Sequence, residues 1–397
     1  MNSKTIANKI VSNNKIAATI WFGLVFIALI NAFNHHAYNN FIIFRQSFFH
    51  LLDKTNLYIE YVGQYADHYY YSPSFAALIV PFSILPFSIS IFAWGFFDAW
   101  ILYYAIRQLP IRSKYQNFIL IFSANEMMNA SSNLQSNGLT AATIILSFIY
   151  IIKQKETQSA FMMLLGFFIK LYSITGLAFF FFTNKKKKLI VSFIIVAAVL
   201  ILLPLLFTSP AFLIQCYQDW FAALSRKSNF DITISMYDNM VDITLQGMVK
   251  RVFNLPTLNK WIFILPGLLV FGAQYLYYKH FSHPIYRLYI LCSVLLFIIV
   301  FNTGTESPTY ILGVPAICLW YVLQEKNKLN NTLFIVAIFF SSFSYSDILT
   351  PYVRTHIMMP YALKVVGCFL IWVVIAIQIF TRQFLKRSEV YRLDLIE

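Results

Sequence analysis

An acid, Asp67, stands beside His68 in the stretch QYADHYYYSPSFAALIVPF (64–82), where three tyrosines and Ser-Pro lead into a strongly apolar run. A carboxylate so close to an apolar segment is costly unless it has a partner or a task. The task that suits it is proton abstraction. A second acid, Glu306, sits in FNTGTESPTY between two apolar segments, where a charge is equally hard to place. Cations that could steady an anion are Arg45, Lys170 in the apolar stretch GFFIKLYSI, and Arg251 beside Lys250. Asn40, Gln135 and Asn137 add amides, and Tyr69, Tyr70 and Tyr71 add ring faces and hydroxyls. Each has a plainer use. Asp67 could cap the helix that begins near Ser72 or pair with His68, and Glu306 could serve a structural ion pair. Lys170 could snorkel, Arg251 could be a solvated loop charge, and the tyrosines could form an aromatic belt.

The elements that must position these groups are membrane helices. The 397 residues are 59% hydrophobic and only 12% charged, against about 25% charged in soluble domains. Charge-free runs recur from end to end, and a bilayer span needs about 20 such residues. The whole chain, 1–397, is therefore expected to form a single integral membrane domain. Its net charge of +14 does not point to nucleic acid, because Lys and Arg cluster at the ends of apolar segments. Cys216, Cys292, Cys318 and Cys368 lie far apart with no CxxC pair, which argues against disulfides and zinc. The basic N-terminus runs into an apolar segment without a small-residue cleavage site, and reads as a retained first span.

The charges predict a topology. Lys4, Lys9 and Lys15 put the N-terminus in the cytoplasm, ahead of a span at about 16–33 and a long outer loop, 34–72. Segments near 115–130 and 138–152 form a hairpin whose tip, SSNLQSN (131–137), faces out. KKKK (185–188) begins six apolar segments, near 189–207, 261–278, 285–302, 309–323, 331–346 and 361–380. Lys279, Lys326, Lys328, Arg382, Lys386 and Arg387 then fall inside, so both termini are cytoplasmic and 208–260, 303–308 and 347–360 are outer loops. Asp231, Asp238 and Asp242 belong to the first of these. Two stretches are irregular. Pro81 and Pro86 break 73–107, and 158–182 is too short for two spans, so it reads as two half-helices with Lys170 and Gly176 near the bend. NNFIIFRQSFFHLL (39–52) places Phe41, Phe44, Phe48, Phe49 and Leu52 near helical spacing. It is read as an amphipathic interfacial helix that either holds a lipid-linked substrate or simply covers the loop. No inverted repeat and no dense series of buried ionisable residues is visible, which disfavours a secondary transporter, a proton relay or a voltage sensor.

The order of these features resembles glycosyltransferase family 87, over roughly residues 35–320. Tyr71-Ser72-Pro73 is similar to its Y-P-P motif, with Ser for the first Pro. LPFSISIFAWGFFDAWIL resembles a Leu-Pro, Trp and Asn pattern, with Asp98 at the Asn position. LQSN resembles G-Q-x-N, matching at Gln135 and Asn137 and departing at Leu134. GFFIKLYSI places Lys170 at a family lysine, SPAFLIQCYQDW is similar to a Pro, Tyr and Trp run, and DITLQGMVKR matches N-Q-S-x-x-G-x-x-x-R at Thr244, Gly247 and Arg251. The family's first-loop acid aligns with Asn40, an amide that cannot act as a base at neutral pH.

The resemblance implies an all-α polytopic membrane protein with a C-type glycosyltransferase-like bundle of about 10–12 transmembrane segments and an amphipathic helix in the first outer loop. It implies transfer of a hexose, often mannose, from a polyprenyl-phosphate sugar donor to a glycan or glycolipid acceptor. The active site would face outward from a bilayer, a bacterial inner membrane. Asp67 is then the expected base, with Glu306 as alternative base or anchor of a substrate hydroxyl. Arg45, Lys170 and Arg251 would hold the phosphate, and Asn40, Tyr71, Gln135 and Asn137 would bind substrate. No cofactor and no metal-ligand cluster is expected, with a divalent cation at the phosphate left open. Two rivals share the groove and basic contacts: a flippase or transporter of lipid-linked sugars, and an inactive family member acting as a binding subunit.

Overall fold

The structure, a computed structural model, describes residues 10–234, 238–346 and 350–385. Lys4, Lys9, Lys386 and Arg387, part of the charge argument, lie outside the described residues, as does the side chain of Asp231. Every regular element among the described residues is a helix. Five are long and apolar enough to cross a membrane: Asn14–Asn34, Phe87–Arg107, Lys186–Leu206, Trp261–His280 and Pro284–Phe301. Six shorter apolar helices accompany them. With no β edge among the described residues, and with backbone bonds closed inside each segment, this is an all-α polytopic membrane protein, as expected.

The chain divides into two compact units, each discontinuous in sequence. The first comprises Met1–Gly23, Ile106–Met127 and Asp231–Glu397, and the second Leu24–Ala105 and Met128–Phe230. In the first, Pro284–Phe301 is the central helix, packed on Val365–Phe380 and Gly313–Val322. In the second, Asn137–Ile152 is buried along nearly its whole length, against Glu156–Ile169 and the 3₁₀ segment Leu171–Phe182. Close packing there needs a glycine, because a Cβ on Gly166 would overlap Thr143 and Ser173. Lys186–Leu206 instead bares Ile190, Val191, Ile194 and Ile195, which costs nothing where the solvent is lipid.

Local chemistry explains the breaks. Ser72 caps the short helix Pro73–Leu78 by accepting from the Phe75 N–H at 3.1 Å, with Pro73 in the first turn, where its missing N–H costs nothing. Asp67 therefore does not cap this helix. A second short helix, Val80–Ser83, carries Pro81 in its first turn, and a single long helix then runs from Phe87 to Arg107. The segment 158–182 does split as its length requires: α-helix to Ile169, extended backbone at Lys170, then 3₁₀ helix. The helix read over 39–52 spans Asn39–Leu52 and buries Phe41, Phe44 and Phe48, whereas Leu52 is exposed. Phe44 meets the rings of Tyr71, Phe75 and Trp94 edge-on, so this face is covered by protein. The 208–260 region, read as loop, holds a 25-residue helix, Pro210–Ile234, and the shorter Leu245–Phe253. Charged and amide residues interleave with its Phe, Leu and Trp, so it carries no apolar run.

Candidate active site

Lys170 sits where the Glu156–Ile169 helix stops, with φ −137° and ψ 117°. The last four carbonyls of a helix have no helical N–H to accept, and that of Phe168 is taken instead by Ser72. The Ser72 hydroxyl donates to it at 2.5 Å and the Ser72 N–H approaches at 3.4 Å. A proline, as in the family motif, could make neither bond. The departure at Tyr71-Ser72-Pro73 thus ties the motif to the break that presents Lys170.

Half-buried Lys170 donates from Nζ to Asn137 Oδ1 at 2.5 Å, and Asn137 donates from Nδ2 to Gln135 Oε1 at 2.7 Å. The hairpin tip and the lysine, 33 positions apart, therefore meet. Asp98 orders the tip from below. Its buried carboxylate accepts from the N–H groups of Leu139 at 2.7 Å and Gly138 at 3.1 Å, at the start of the Asn137–Ile152 helix. A Cβ on Gly138 would come within 2.5 Å of Asp98 Oδ2. Lys170 lies within electrostatic reach of the same acid. Leu134, where the family pattern has glycine, adopts φ 48°, a conformation that penalises a side chain. Its carbonyl accepts from Trp94 Nε1 at 3.2 Å. Asn40 joins the same tip, donating to the Asn133 carbonyl at 2.9 Å.

Asp67 is 60% exposed at φ 77°, and its Oδ1 accepts from the His68 N–H at 2.7 Å. The His68 ring is flanked by Asp67 at 4.0 Å and Glu60 at 3.8 Å. Asp67 lines an open cavity of about 270 Å³ with Glu60, Val62, Tyr65 and Ala66. The loop is pinned beside it, because Asn39 both donates to and accepts from the Ala66 backbone at 2.6 and 2.9 Å. Among the tyrosines, Tyr69 is fully buried and offers no face to a ligand; its hydroxyl donates to the Ser72 carbonyl at 2.8 Å. Burial pushes its phenol well above the ordinary value, so it stays a donor. Half-buried Tyr71 receives the Tyr58 hydroxyl on its carbonyl at 3.1 Å. Arg45 is held by rings, its guanidinium 5.2 Å from the centre of Phe49 and 5.8 Å from that of Phe87.

In the other unit, Glu306 opens a 3₁₀ turn through a reciprocal capping box with Thr309. Its loop is stitched to residue 243, since the Ile243 N–H donates to the Thr305 carbonyl at 2.8 Å and the Tyr310 hydroxyl to the Ile243 carbonyl at 2.8 Å. Arg251 clamps the neighbouring backbone, donating from Nη2 to the carbonyls of Asp238 at 2.9 Å and Val241 at 2.5 Å. Thr244, the family's Ser position, caps the helix that carries Arg251. Burial pushes the Asp242 carboxyl up and the Lys250 and Arg251 cations down. Among the described residues no group of three or more His, Cys, Asp or Glu could hold a metal. Residues that the sequence reading passed over are Ser72 as a donor, Asp98 as a clamp, and the buried pair Glu126–Lys364. Lys364 carries a local signal, a charge at the edge of the apolar run VVGCFLIWVV, whereas Glu126 stands among Ser123, Asn125 and Asn129 and carries none.

Together, the apolar helices and the lysine set in a helix break beside a polar hairpin tip define a multi-pass membrane protein with an amphiphilic site. The chain belongs to glycosyltransferase family 87, whose profile matches residues 69–306. It is therefore a membrane glycosyltransferase. No curated protein matches it.

Proposed function

We propose that the enzyme transfers a hexose, mannose first among candidates, from a polyprenyl-phosphate sugar to a glycan or glycolipid hydroxyl on the extracytoplasmic face. The observation that carries this reading is the union of Lys170 with Asn137 and Gln135 at the helix break. A break at membrane depth persists where it is buried in protein or lines a cavity, and an ammonium beside amides suits a phosphate with an adjoining sugar.

The acceptor oxygen attacks the anomeric carbon while the bond from that carbon to the phosphate oxygen breaks. The phosphate leaves with the electron pair, and the acceptor proton passes to a carboxylate. Asp67 is assigned as that base, being exposed, hydrogen-bonded by a backbone N–H and placed on an open cavity. Lys170 receives the leaving phosphate, with Arg45 and Arg251 as further phosphate ligands. Asn40, Tyr71, Gln135 and Asn137 bind substrate. Glu306 is the alternative base or the anchor of a substrate hydroxyl, a role favoured by the tight stitching of its loop.

Purified protein incubated with polyprenyl-phosphate mannose and acceptor lipids tests this. Release of polyprenyl phosphate is expected, and D67N should lower it by about 10²–10⁴-fold. Full activity in both D67N and E306Q would sink the assignment of the base. Leaflet exchange without cleavage would make the protein a flippase, and binding alone a binding subunit.

A further inference from the structure

The mechanism leaves unused a buried ion pair. Lys364 Nζ lies 2.8 Å from Glu126 Oε2, and both side chains are 1% exposed. The same ammonium donates to the Ser307 hydroxyl at 2.9 Å and approaches the Ser307 carbonyl at 3.3 Å. The rings of Tyr310 and Tyr345 close over it, 4.7 and 5.5 Å from the nitrogen. Such a pair is poor insurance for stability, since desolvation can exceed the attraction and well-packed apolar residues often replace a buried pair at no loss. What apolar residues could not do is bond Ser307, the residue after Glu306. Lys364 stands at the start of the Val365–Phe380 helix and Glu126 on Ser113–Ser132, so one ammonium ties two helices to one loop.

We infer that Glu126 and Lys364 are positioning residues that fix Glu306 for the transfer reaction. Glu126 holds the ammonium in place, and the ammonium holds Ser307 on both its oxygens. The capping box then sets the Glu306 carboxylate against the turn so fixed. The inference rests on the proposed role of Glu306 with substrate.

The test is a mutant cycle on purified protein, reading transfer rate and melting temperature together. E126Q/K364M removes both charges at once and leaves one buried amide, so its melting temperature should fall by less than that of K364M alone while its rate falls at least tenfold. E306Q alone should fall at least tenfold. Adding E306Q to E126Q/K364M should cost less than a further threefold, because both changes disable one group. A parental rate in E126Q/K364M, or effects that multiply in full, would overturn the inference and leave the role of Glu306 standing. A parental rate in E306Q would instead remove the role of Glu306, and the inference with it. If E126Q/K364M does not fold, S307A, which keeps the ion pair, decides. A fall of threefold or more that does not add to E306Q supports the inference, and a parental rate overturns it.

Discussion

Lys170 and Lys364 both lie in apolar segments, yet the first meets an amide oxygen at 2.5 Å and the second a carboxylate at 2.8 Å. Beside the Asn137 contact of Lys170, Asp98 turns both oxygens onto the Gly138 and Leu139 N–H groups. An amide can give way to a phosphate oxygen at small electrostatic cost. Parting Lys364 from Glu126 would strand two charges in an apolar interior. A half-buried ammonium on an amide thus suits chemistry, and a fully buried one on a carboxylate suits architecture.

Single substitutions should separate the two most sharply. K364M leaves Glu126 buried without its ammonium and should destabilise the protein by about 3–5 kcal/mol, read as lost melting temperature or lost yield. K170M should leave the melting temperature nearly unchanged and lower turnover by about 10²–10³-fold. A stability loss in K170M as large as in K364M would break the comparison. Two smaller changes sharpen it by restoring the family's residues around Lys170. S72P removes the bonds to the Phe168 carbonyl and should cost about 1–3 kcal/mol. L134G relieves a backbone at φ 48° by about 1 kcal/mol but deletes a buried leucine side chain, which costs about 2–5 kcal/mol, so it should destabilise on balance. Both losses are measurable by thermal melts.

The smallest effect concerns another group held by an amide. His50 shares a 2.9 Å hydrogen bond with Gln64, and burial holds its pKa below the ordinary value. The unfolded chain then binds the proton more tightly, so stability is full above about pH 6.5 and falls as pH drops from there toward the folded value. The slope is at most about 1.4 kcal/mol per pH unit, and H50Q should flatten it in melts taken between pH 5 and 8. An unchanged slope in H50Q would assign the dependence elsewhere.

What the sequence reveals follows from the range of the forces involved. A lysine inside GFFIKLYSI marks the break, phenylalanines at helical spacing mark the Asn39–Leu52 helix, and two apolar segments mark the hairpin. These signals are local. Pro210–Ile234 escapes because its charges mask its periodicity. The partnership of Glu126 with Lys364 spans 238 positions and that of Asp98 with Leu139 spans 41, so no local pattern announces either. Tyr69 reads like a stacking face beside Tyr70 and Tyr71, and only packing shows that it is fully enclosed. Asp67 shows the reverse: an acid that looks destined for burial stays in water on a turn of positive φ.

Serine at position 72 also bears on how this lineage can change. A proline at that position needs no help from elsewhere, because its ring alone sets the turn. Serine needs a recipient for its proton, and that recipient is a carbonyl left over where the helix stops at Ile169. The two sites, 96 positions apart, are thereby bound into one heritable unit. A descendant that straightened the helix through Lys170 would strand the hydroxyl, and one that regained proline would strand the carbonyl. Passage from one motif to the other is a paired step, and relatives carrying serine here should carry the break as well.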